Sequence, residues 1–114
     1  MRLSLERLEV LELANNAMKV MPNLGALPHL RELNMVNNQI EAIDNVDFTA
    51  VAGSLERLLL EGNHIEFYSK ATMKGWIGNM KKMMKLEELN VRGNPFVEQY
   101  PSYKVQLFDS IKTL

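Results

Sequence analysis

The chain has 114 residues, 46% of them hydrophobic and 24% charged, and a formal net charge of −1. These values are typical of one globular domain without a general attraction to nucleic acid or anionic membranes. The absence of cysteine excludes disulfides and zinc–thiolate sites, and no apolar run approaches the ~20 residues that span a bilayer or forms the core of a signal peptide. We therefore expect a cytoplasmic protein that does not associate with membranes.

One pattern, LxxLxLxxNx followed by an apolar residue, occurs four times. The copies are Leu8, Leu11, Leu13, Asn16, Met18; Leu30, Leu33, Met35, Asn38, Ile40; Leu55, Leu58, Leu60, Asn63, Ile65; and Leu86, Leu89, Val91, Asn94, Phe96. The LxL pair alternates with period two, which predicts a short strand with its leucines on one side. One such unit cannot bury its apolar face alone, whereas stacked copies share a continuous core. The pattern therefore predicts a solenoid with a short parallel sheet.

Each copy places an asparagine where the chain turns out of the strand. These residues are Asn16, Asn38, Asn63 and Asn94. An amide side chain both donates and accepts hydrogen bonds, so it can satisfy backbone groups that the bend leaves unpaired within and between copies. We expect a structural ladder of asparagines and no catalytic role for them.

The segments that return the chain to the next strand differ in length. Successive ladder asparagines are 22, 25 and 31 residues apart. In the first interval an apolar residue recurs at every third position, which predicts a 3₁₀-like segment. In the second interval, Asp44 or Asn45 could cap a helix that runs through Phe48 and Val51. Gly53 is expected in a turn.

The third interval predicts an amphipathic helix from about Ser69 to Met84. Met73, Trp76, Ile77, Met80 and Met84 recur at helical spacing. The same stretch contains Lys70, Lys74, Lys81, Lys82 and Lys85 and no acidic residue. It could bind an acidic protein surface, a calmodulin-like partner or a membrane. The alternative, which the repeat's need for a core favours, is that the apolar side packs inward and the lysines are solvated.

The repeat spacing resembles the leucine-rich-repeat subfamily named after the leucine-rich regulatory subunit of protein phosphatase one. The C-terminal residues also resemble the cap of such proteins: Gly93-Asn94-Pro95-Phe96, Tyr100-Pro101-Ser102-Tyr103-Lys104, Leu107, Ile111 and Leu114. The resemblance implies an α/β solenoid with the parallel sheet on its concave face, 3₁₀ and α segments on its convex face, and a C-terminal helical cap. It divides one domain into four repeats in residues 1–96 and an incomplete cap in residues 97–114.

On this fold the strand residues between the leucines form the concave face. They are Val10, Glu12, Glu32, Asn34, Val36, Arg57, Leu59, Glu61, Glu88, Asn90 and Arg92. We expect an apolar strip of Val10, Val36 and Leu59, with Leu59 as an exposed anchor for a partner. Four strands give a platform only ~14 Å wide, which fits one helix or one loop.

The sequence shows no motif typical of catalysis, metal binding or phosphate binding. His29 and His64 have no second histidine or cysteine nearby to complete a metal site, and no glycine-rich phosphate loop occurs. Glu87 and Glu88 would point to opposite sides of a strand, which does not suit shared acid–base work. We expect neither catalysis nor a cofactor or metal.

The function expected from these features is a protein-binding adaptor or scaffold. Members of the family that this sequence resembles bind phosphatase, dynein motor domains, tubulin, or spliceosomal and messenger RNA export machinery. Among these contexts we favour a cytoskeletal or axonemal (ciliary) role. An RNA-processing or export component of the nucleus is one alternative, although the concave face offers neither a basic surface nor stacking aromatics for RNA. Another is a structural segment of a longer protein. No cap precedes the first strand, so we expect a fragment, or another chain or domain over the N-terminal edge.

Overall fold

The computed structural model describes residues 5–104 and residue 107. Four strands form one parallel sheet in chain order. Their bounds are β1 Val10–Glu12, β2 Glu32–Asn34, β3 Arg57–Leu59 and β4 Glu88–Asn90. The pairing is in phase, because the central leucine of each strand lies opposite the central leucine of the next. Each copy of the repeat thus adds one strand, and the predicted solenoid with a parallel sheet is confirmed.

The core lies behind the sheet and is deepest in the middle repeats. Leu33 and Leu58 are fully buried at the centres of their strands. Leu11 and Leu89, the corresponding residues of the two outer strands, are only partly buried. The reason is geometric, since an inner repeat packs against a neighbour on each side and an outer repeat does not.

Two of the return segments are short 3₁₀ turns. The first covers Leu24–Ala26 and is capped by Asn23, whose Oδ1 accepts a hydrogen bond from the Gly25 backbone N–H at 3.0 Å. The predicted 3₁₀-like segment is therefore confirmed there.

The helix predicted for the second interval is wrong, because only the 3₁₀ turn Thr49–Val51 forms. Asp47, not Asp44 or Asn45, accepts a hydrogen bond from the Thr49 backbone N–H at 2.9 Å. Short polar side chains that bond local backbone in this way favour turns, and β-branched residues at positions 46, 49 and 51 disfavour a longer helix.

The third return segment is the helix α1, Lys70–Met80. Ser69 caps it, because its Oγ accepts a hydrogen bond from the Thr72 backbone N–H at 3.2 Å. The buried side of α1 consists of Met73, Trp76, Ile77 and Met80. The apolar side thus packs into the core, as the solenoid requires.

The predicted helix end and the core position of Met84 are wrong. After α1 the chain makes a tight turn in which the Met83 backbone N–H donates to the Met80 carbonyl at 3.0 Å. This turn carries Met83 into the core and leaves Met84 72% exposed. No helix among residues 5–104 is long and apolar enough to cross a bilayer.

A short helix, α2 (Pro95–Gln99), follows the last ladder asparagine directly. Its Phe96 lies at the centre of an aromatic cluster, with ring centroids 5.1 Å from Phe67, 5.8 Å from Trp76 and 5.2 Å from Tyr103. Burial raises the pKa of the Tyr103 phenol. Two residues of the predicted cap, Ile111 and Leu114, lie outside the described residues, so the complete cap stays a prediction.

Candidate interaction surface on the concave sheet face

Three rows of side chains cross the concave face. The strand pairing sets the first two rows, and the hydrogen bonds that extend it past the strand ends set the third. In chain order the rows are Val10, Glu32, Arg57, Glu88; Glu12, Asn34, Leu59, Asn90; and Ala14, Val36, Glu61, Arg92. All the concave residues expected from the sequence thus share one side of the sheet, opposite the core leucines.

The first row contains a chain of ion pairs centred on Arg57. Its Nη1 lies 2.8 Å from a carboxylate oxygen of Glu32, and its Nε lies 2.9 Å from one of Glu88. The hydrogen bond to Glu88 and the charges of both carboxylates raise the pKa of Arg57. Arg57 is therefore not an unpaired cation, because two carboxylates of the chain already neutralise its charge.

A second chain of ion pairs runs beside the first, at the point where the strands begin. Arg31 lies 3.3 Å from Glu9 and 2.8 Å from Glu56, measured between nitrogen and oxygen atoms. The hydrogen bond from Arg31 lowers the pKa of Glu56. This arrangement was not predicted from the sequence, although a signal is present: the same repeat position alternates Glu, Arg, Glu in the first three copies.

Leu59 occupies the middle row between two asparagines and is half-buried, so it is less exposed than the sequence suggested. Both asparagines turn their amide oxygens towards their own strand. Asn34 Oδ1 accepts from the Val36 backbone N–H at 3.0 Å, and Asn90 Oδ1 accepts from the Arg92 backbone N–H at 3.1 Å. These contacts fix the amide oxygens of the two side chains that flank Leu59.

The apolar strip expected from the sequence, Val10, Val36 and Leu59, is wrong in one respect, because Val10 lies apart from the other two residues. Val36 and Leu59 lie on adjacent strands in adjacent rows, and Ala14 lies beside Val36. Val10, which is 51% exposed, lies on β1 two rows away from Val36. We therefore define the apolar patch as Ala14, Val36 and Leu59 and treat Val10 as a separate edge residue.

Three charged residues surround the apolar patch without an ion pair. Among the described residues, no opposite charge lies within 4 Å of Glu12, Glu61 or Arg92. Glu61 makes one long hydrogen bond, 3.4 Å, with the side-chain amide of Asn90. The surface thus carries two carboxylates and one guanidinium that form no ion pair among the described residues.

Three of the four ladder asparagines, Asn38, Asn63 and Asn94, are buried. Asn63 illustrates the geometry, because its Nδ2 donates to the carbonyls of Met35 and Leu60 at 2.8 and 3.0 Å, and its Oδ1 accepts from the Ile40 N–H at 3.0 Å. Met35 and Ile40 belong to the preceding repeat, so each such asparagine joins two repeats. Asn16 instead lies on the surface, where its side chain donates to the carbonyl of Ala14 at 3.0 Å and its backbone N–H donates to Asn38 Oδ1 at 3.1 Å.

The position before each ladder asparagine has a conformation that was not predicted from the sequence. It has a positive φ in all four repeats: Asn15 62°, Asn37 57°, Gly62 72° and Gly93 70°. Glycine and asparagine are the residues that adopt this left-handed conformation most readily. A side chain at Gly62 would also collide with the side chain of Asn37. The Asn-Asn and Gly-Asn pairs in the sequence were the available signal.

The two histidines, His29 and His64, are exposed. Within the described part of the chain, no group of three histidine, cysteine, aspartate or glutamate side chains could hold a metal ion.

Comparison with known proteins supports the repeat assignment. Residues 6–47 match the family model described as leucine-rich repeats in two copies. The chain is 32% identical over 106 residues to tubulin-specific chaperone E of Dictyostelium discoideum, covering 80% of this chain and 19% of that protein. It is 31% identical over 102 residues to tubulin-specific chaperone E of Xenopus laevis, covering 83% of this chain and 18% of that protein.

Among solved structures, human 5T4 (Wnt-activated inhibitory factor 1, trophoblast glycoprotein) superposes with a TM-score of 0.61 at 30% identity, over 80% of this chain and 31% of that chain. This chain therefore spans about a fifth of the length of the two chaperones and about a third of that structure. Together the matches show leucine-rich repeats and a leucine-rich-repeat fold. The subfamily suggested by the sequence stays a prediction.

Proposed function

We propose that this leucine-rich-repeat solenoid is a non-catalytic protein-binding adaptor whose concave face receives one helix or one loop of its partner. The observation that carries the proposal is the apolar patch of Ala14, Val36 and Leu59 inside a polar surround. An apolar centre with a polar rim is the usual anatomy of a protein interface.

The dimensions of the face support a small contact element. Four strands at ~4.8 Å spacing give a width of ~14 Å, and a helix with its side chains is ~10–12 Å across. A larger rigid partner would have to contact the rims of the solenoid as well.

The charges of the face favour a partner element with basic side chains on one side. Glu12 and Glu61 flank the apolar patch without ion pairs of their own, whereas Arg57 is already neutralised. A lysine or arginine of the partner would gain an ion pair at either carboxylate, and an acidic residue would gain one at Arg92. Because Arg92 is the one cation of the face without an ion pair among the described residues, and no aromatic side chain lies in the three rows, RNA is disfavoured.

The relatives support a cytoskeletal context. Two proteins similar to this chain are named tubulin-specific chaperone E, and we propose that the partner is tubulin or another cytoskeletal protein of the cytoplasm. Binding of the chain to purified tubulin dimers tests this assignment directly.

In repeat folds the outermost repeats are usually covered by capping segments. We propose that residues 97–114 close the C-terminal end of the core, which is supported by the buried Phe96, Tyr103 and Leu107. At the other end, the core leucines of the first repeat are only partly buried, and the side chain of Asn16 bonds only to Ala14 of its own repeat. These observations support an additional domain or chain over the N-terminal edge.

The proposal is tested by measuring the binding of the chain to purified tubulin dimers and, in parallel, by affinity capture from cell extract. The variant Leu59→Glu with Arg92→Glu changes the apolar patch and its cation. The matched control, Val20→Glu with Lys104→Glu, changes one exposed apolar residue and one cation elsewhere and alters the net charge equally. Loss of a partner with the first variant and retention with the control would support the proposal.

Other outcomes would refine or reject it. A protein partner other than tubulin, lost only with the concave variant, would keep the adaptor function and reject the tubulin assignment. Partner sets that are identical for both folded variants would reject the concave face as the binding site and favour a purely structural segment.

A further inference from the structure

The outer side of residues 68–85 is a strongly basic surface on the convex side of the solenoid. All five of its lysines are exposed: Lys70, Lys74, Lys81, Lys82 and Lys85. Three of them, Lys70, Lys74 and Lys81, recur at i, i+4 and i+11, so they lie within about 40° of one another around the helix axis. We call Lys70, Lys74 and Lys81 the lysine stripe.

No ion pair among the described residues neutralises Lys70, Lys74 or Lys81, whereas the charge of Lys85 acts on nearby Glu56. The four ion pairs in the described part of the chain use only Arg31 and Arg57 as cations, and none uses a lysine. Segment 68–85 contains five of the 13 basic residues and none of the 14 acidic residues. The rest of the chain therefore has 8 basic and 14 acidic residues, a net charge of −6, so the molecule is electrically polarised.

Two large apolar side chains lie at the ends of this basic surface. Tyr68, just before α1, is 98% exposed, and Met84, just after it, is 72% exposed. They are the two most exposed large hydrophobic residues of the described chain. Tyrosine and methionine are enriched in protein interfaces, where their burial contributes much of the affinity. Neither is needed for the core, which α1 completes with its opposite side.

We propose that this surface docks an acidic polypeptide segment of a partner protein, with carboxylates along the lysine stripe and apolar side chains over Tyr68 and Met84. The 11-residue helix is about 16 Å long. An extended segment of about 5 residues spans that distance, and somewhat more are needed to reach both apolar residues. The site is separate from the concave face, so it does not depend on the function proposed above.

The structure favours a polypeptide over a membrane or a nucleic acid. Membrane insertion would use the apolar side of α1, but Met73, Trp76 and Ile77 are buried in the core and unavailable. An extended polyanion such as a nucleic acid would also meet the net negative charge of the remaining chain. None of Lys70, Lys74 and Lys81 forms an ion pair among the described residues, so a short acidic segment can contact the lysine stripe directly.

The test is fluorescence anisotropy with a labelled synthetic peptide of about 8 residues, mostly glutamate, with a leucine at each end, a length that at the strand rise spans α1 and reaches both apolar residues. We expect binding that weakens as salt rises from about 0.02 to 0.2 M, because exposed charges are screened. Vesicles containing phosphatidylserine and a single-stranded oligonucleotide, at equal charge concentration, are the competing ligands.

Two variants of equal net charge identify the site. Replacing Lys70, Lys74 and Lys81 with glutamine should weaken peptide binding about tenfold, from the loss of three exposed ion pairs. Replacing three exposed cations elsewhere, Arg7, Lys19 and Lys104, with glutamine should change it less than about twofold. Equal weakening by both sets, or tighter binding of vesicles or the oligonucleotide than of the peptide, would overturn the proposal.

A third variant tests the apolar contacts. Tyr68→Ser with Met84→Ser should weaken binding at both salt concentrations, because apolar contacts are not screened. An effect confined to low salt, or none, would contradict the apolar part of the proposal. The fluorescence of Trp76 verifies that each variant is folded.

Discussion

Replacing Asn63 with alanine tests whether the ladder asparagines hold neighbouring repeats together. The substitution removes three hydrogen bonds of 2.8 to 3.0 Å, to the backbone of Met35, Ile40 and Leu60. All three are buried contacts, so water cannot easily replace the lost amide. Leaving a buried donor or acceptor unsatisfied costs about 1–3 kcal/mol, and three such groups at the low end of this range give a loss of about 3 kcal/mol.

The matched control is the same substitution at Asn16. This residue occupies the equivalent repeat position, but it is exposed and its side chain donates one bond, to the Ala14 carbonyl. Surface substitutions of this kind usually change the free energy of unfolding by less than about 0.5 kcal/mol. The two variants therefore differ in burial and in the bonds to a preceding repeat, while residue type and motif are the same.

Urea denaturation measures both effects. The chain contains one tryptophan, Trp76, which packs between Phe67 and Phe96 in the core, so its fluorescence reports unfolding. With an m-value of about 2 kcal/mol/M, a loss of 3 kcal/mol lowers the midpoint by about 1.5 M. Equal midpoints for the Asn63 and Asn16 variants would refute the reasoning, because the inter-repeat bonds would then contribute nothing beyond those of a surface amide.

Three further predictions concern the stability of the chain and the titration of one carboxyl group. Ala17 has a φ of 54°, a conformation that costs a side-chain-bearing residue about 1 kcal/mol, so Ala17→Gly should raise the free energy of unfolding by about 0.5 kcal/mol; a lower urea midpoint would contradict this. Gly75 and Gly78 lie in α1 where an added Cβ meets open space, so each Gly→Ala change should stabilise by about 0.5–1 kcal/mol in the same assay; no gain would mean that helix propensity does not limit α1. The hydrogen bond from Arg31 lowers the pKa of Glu56 below its usual 4.5, so the stability from this pair is present above that pH and is lost as pH falls through the lowered pKa. Arg31→Met should return the pKa towards 4.5 in an NMR titration of the Glu56 carboxyl, and an unchanged titration would show that the contact is not formed in solution.

Local pattern was enough to predict the strands and their order. The LxL pairs alternate with period two, and one spacing recurs four times, so each copy had to form the same strand and stack on its neighbour. The start of α1 was also predictable, since Ser69 is a favourable N-cap before residues at helical spacing. These features depend on a few neighbouring residues, which is why sequence suffices for them.

The errors occurred where local turn chemistry or the path of the chain to the next strand outweighed the helical spacing of apolar residues. A helix through Phe48 and Val51 was a reasonable expectation, but the bond between Asp47 and Thr49 limits the segment to a 3₁₀ turn. Met84 continued the helical spacing of α1, yet the turn after Met80 placed its neighbour in the core instead. A periodic pattern shows which side chains could face the core and does not show where the chain must turn towards the next strand.

For the concave surface, too, some properties follow from the sequence and others only from the tertiary structure. Sequence alone determined which residues share that face, because the strand period assigns every second residue to it. Only the tertiary structure decided their electrostatic state: the in-phase pairing of strands 22 to 31 residues apart in the chain brings Arg57 between Glu32 and Glu88 and leaves Glu12, Glu61 and Arg92 without ion pairs among the described residues. The physical reason is that periodicity is a local property of the backbone, whereas an ion pair depends on a distance of a few ångströms between residues remote in sequence.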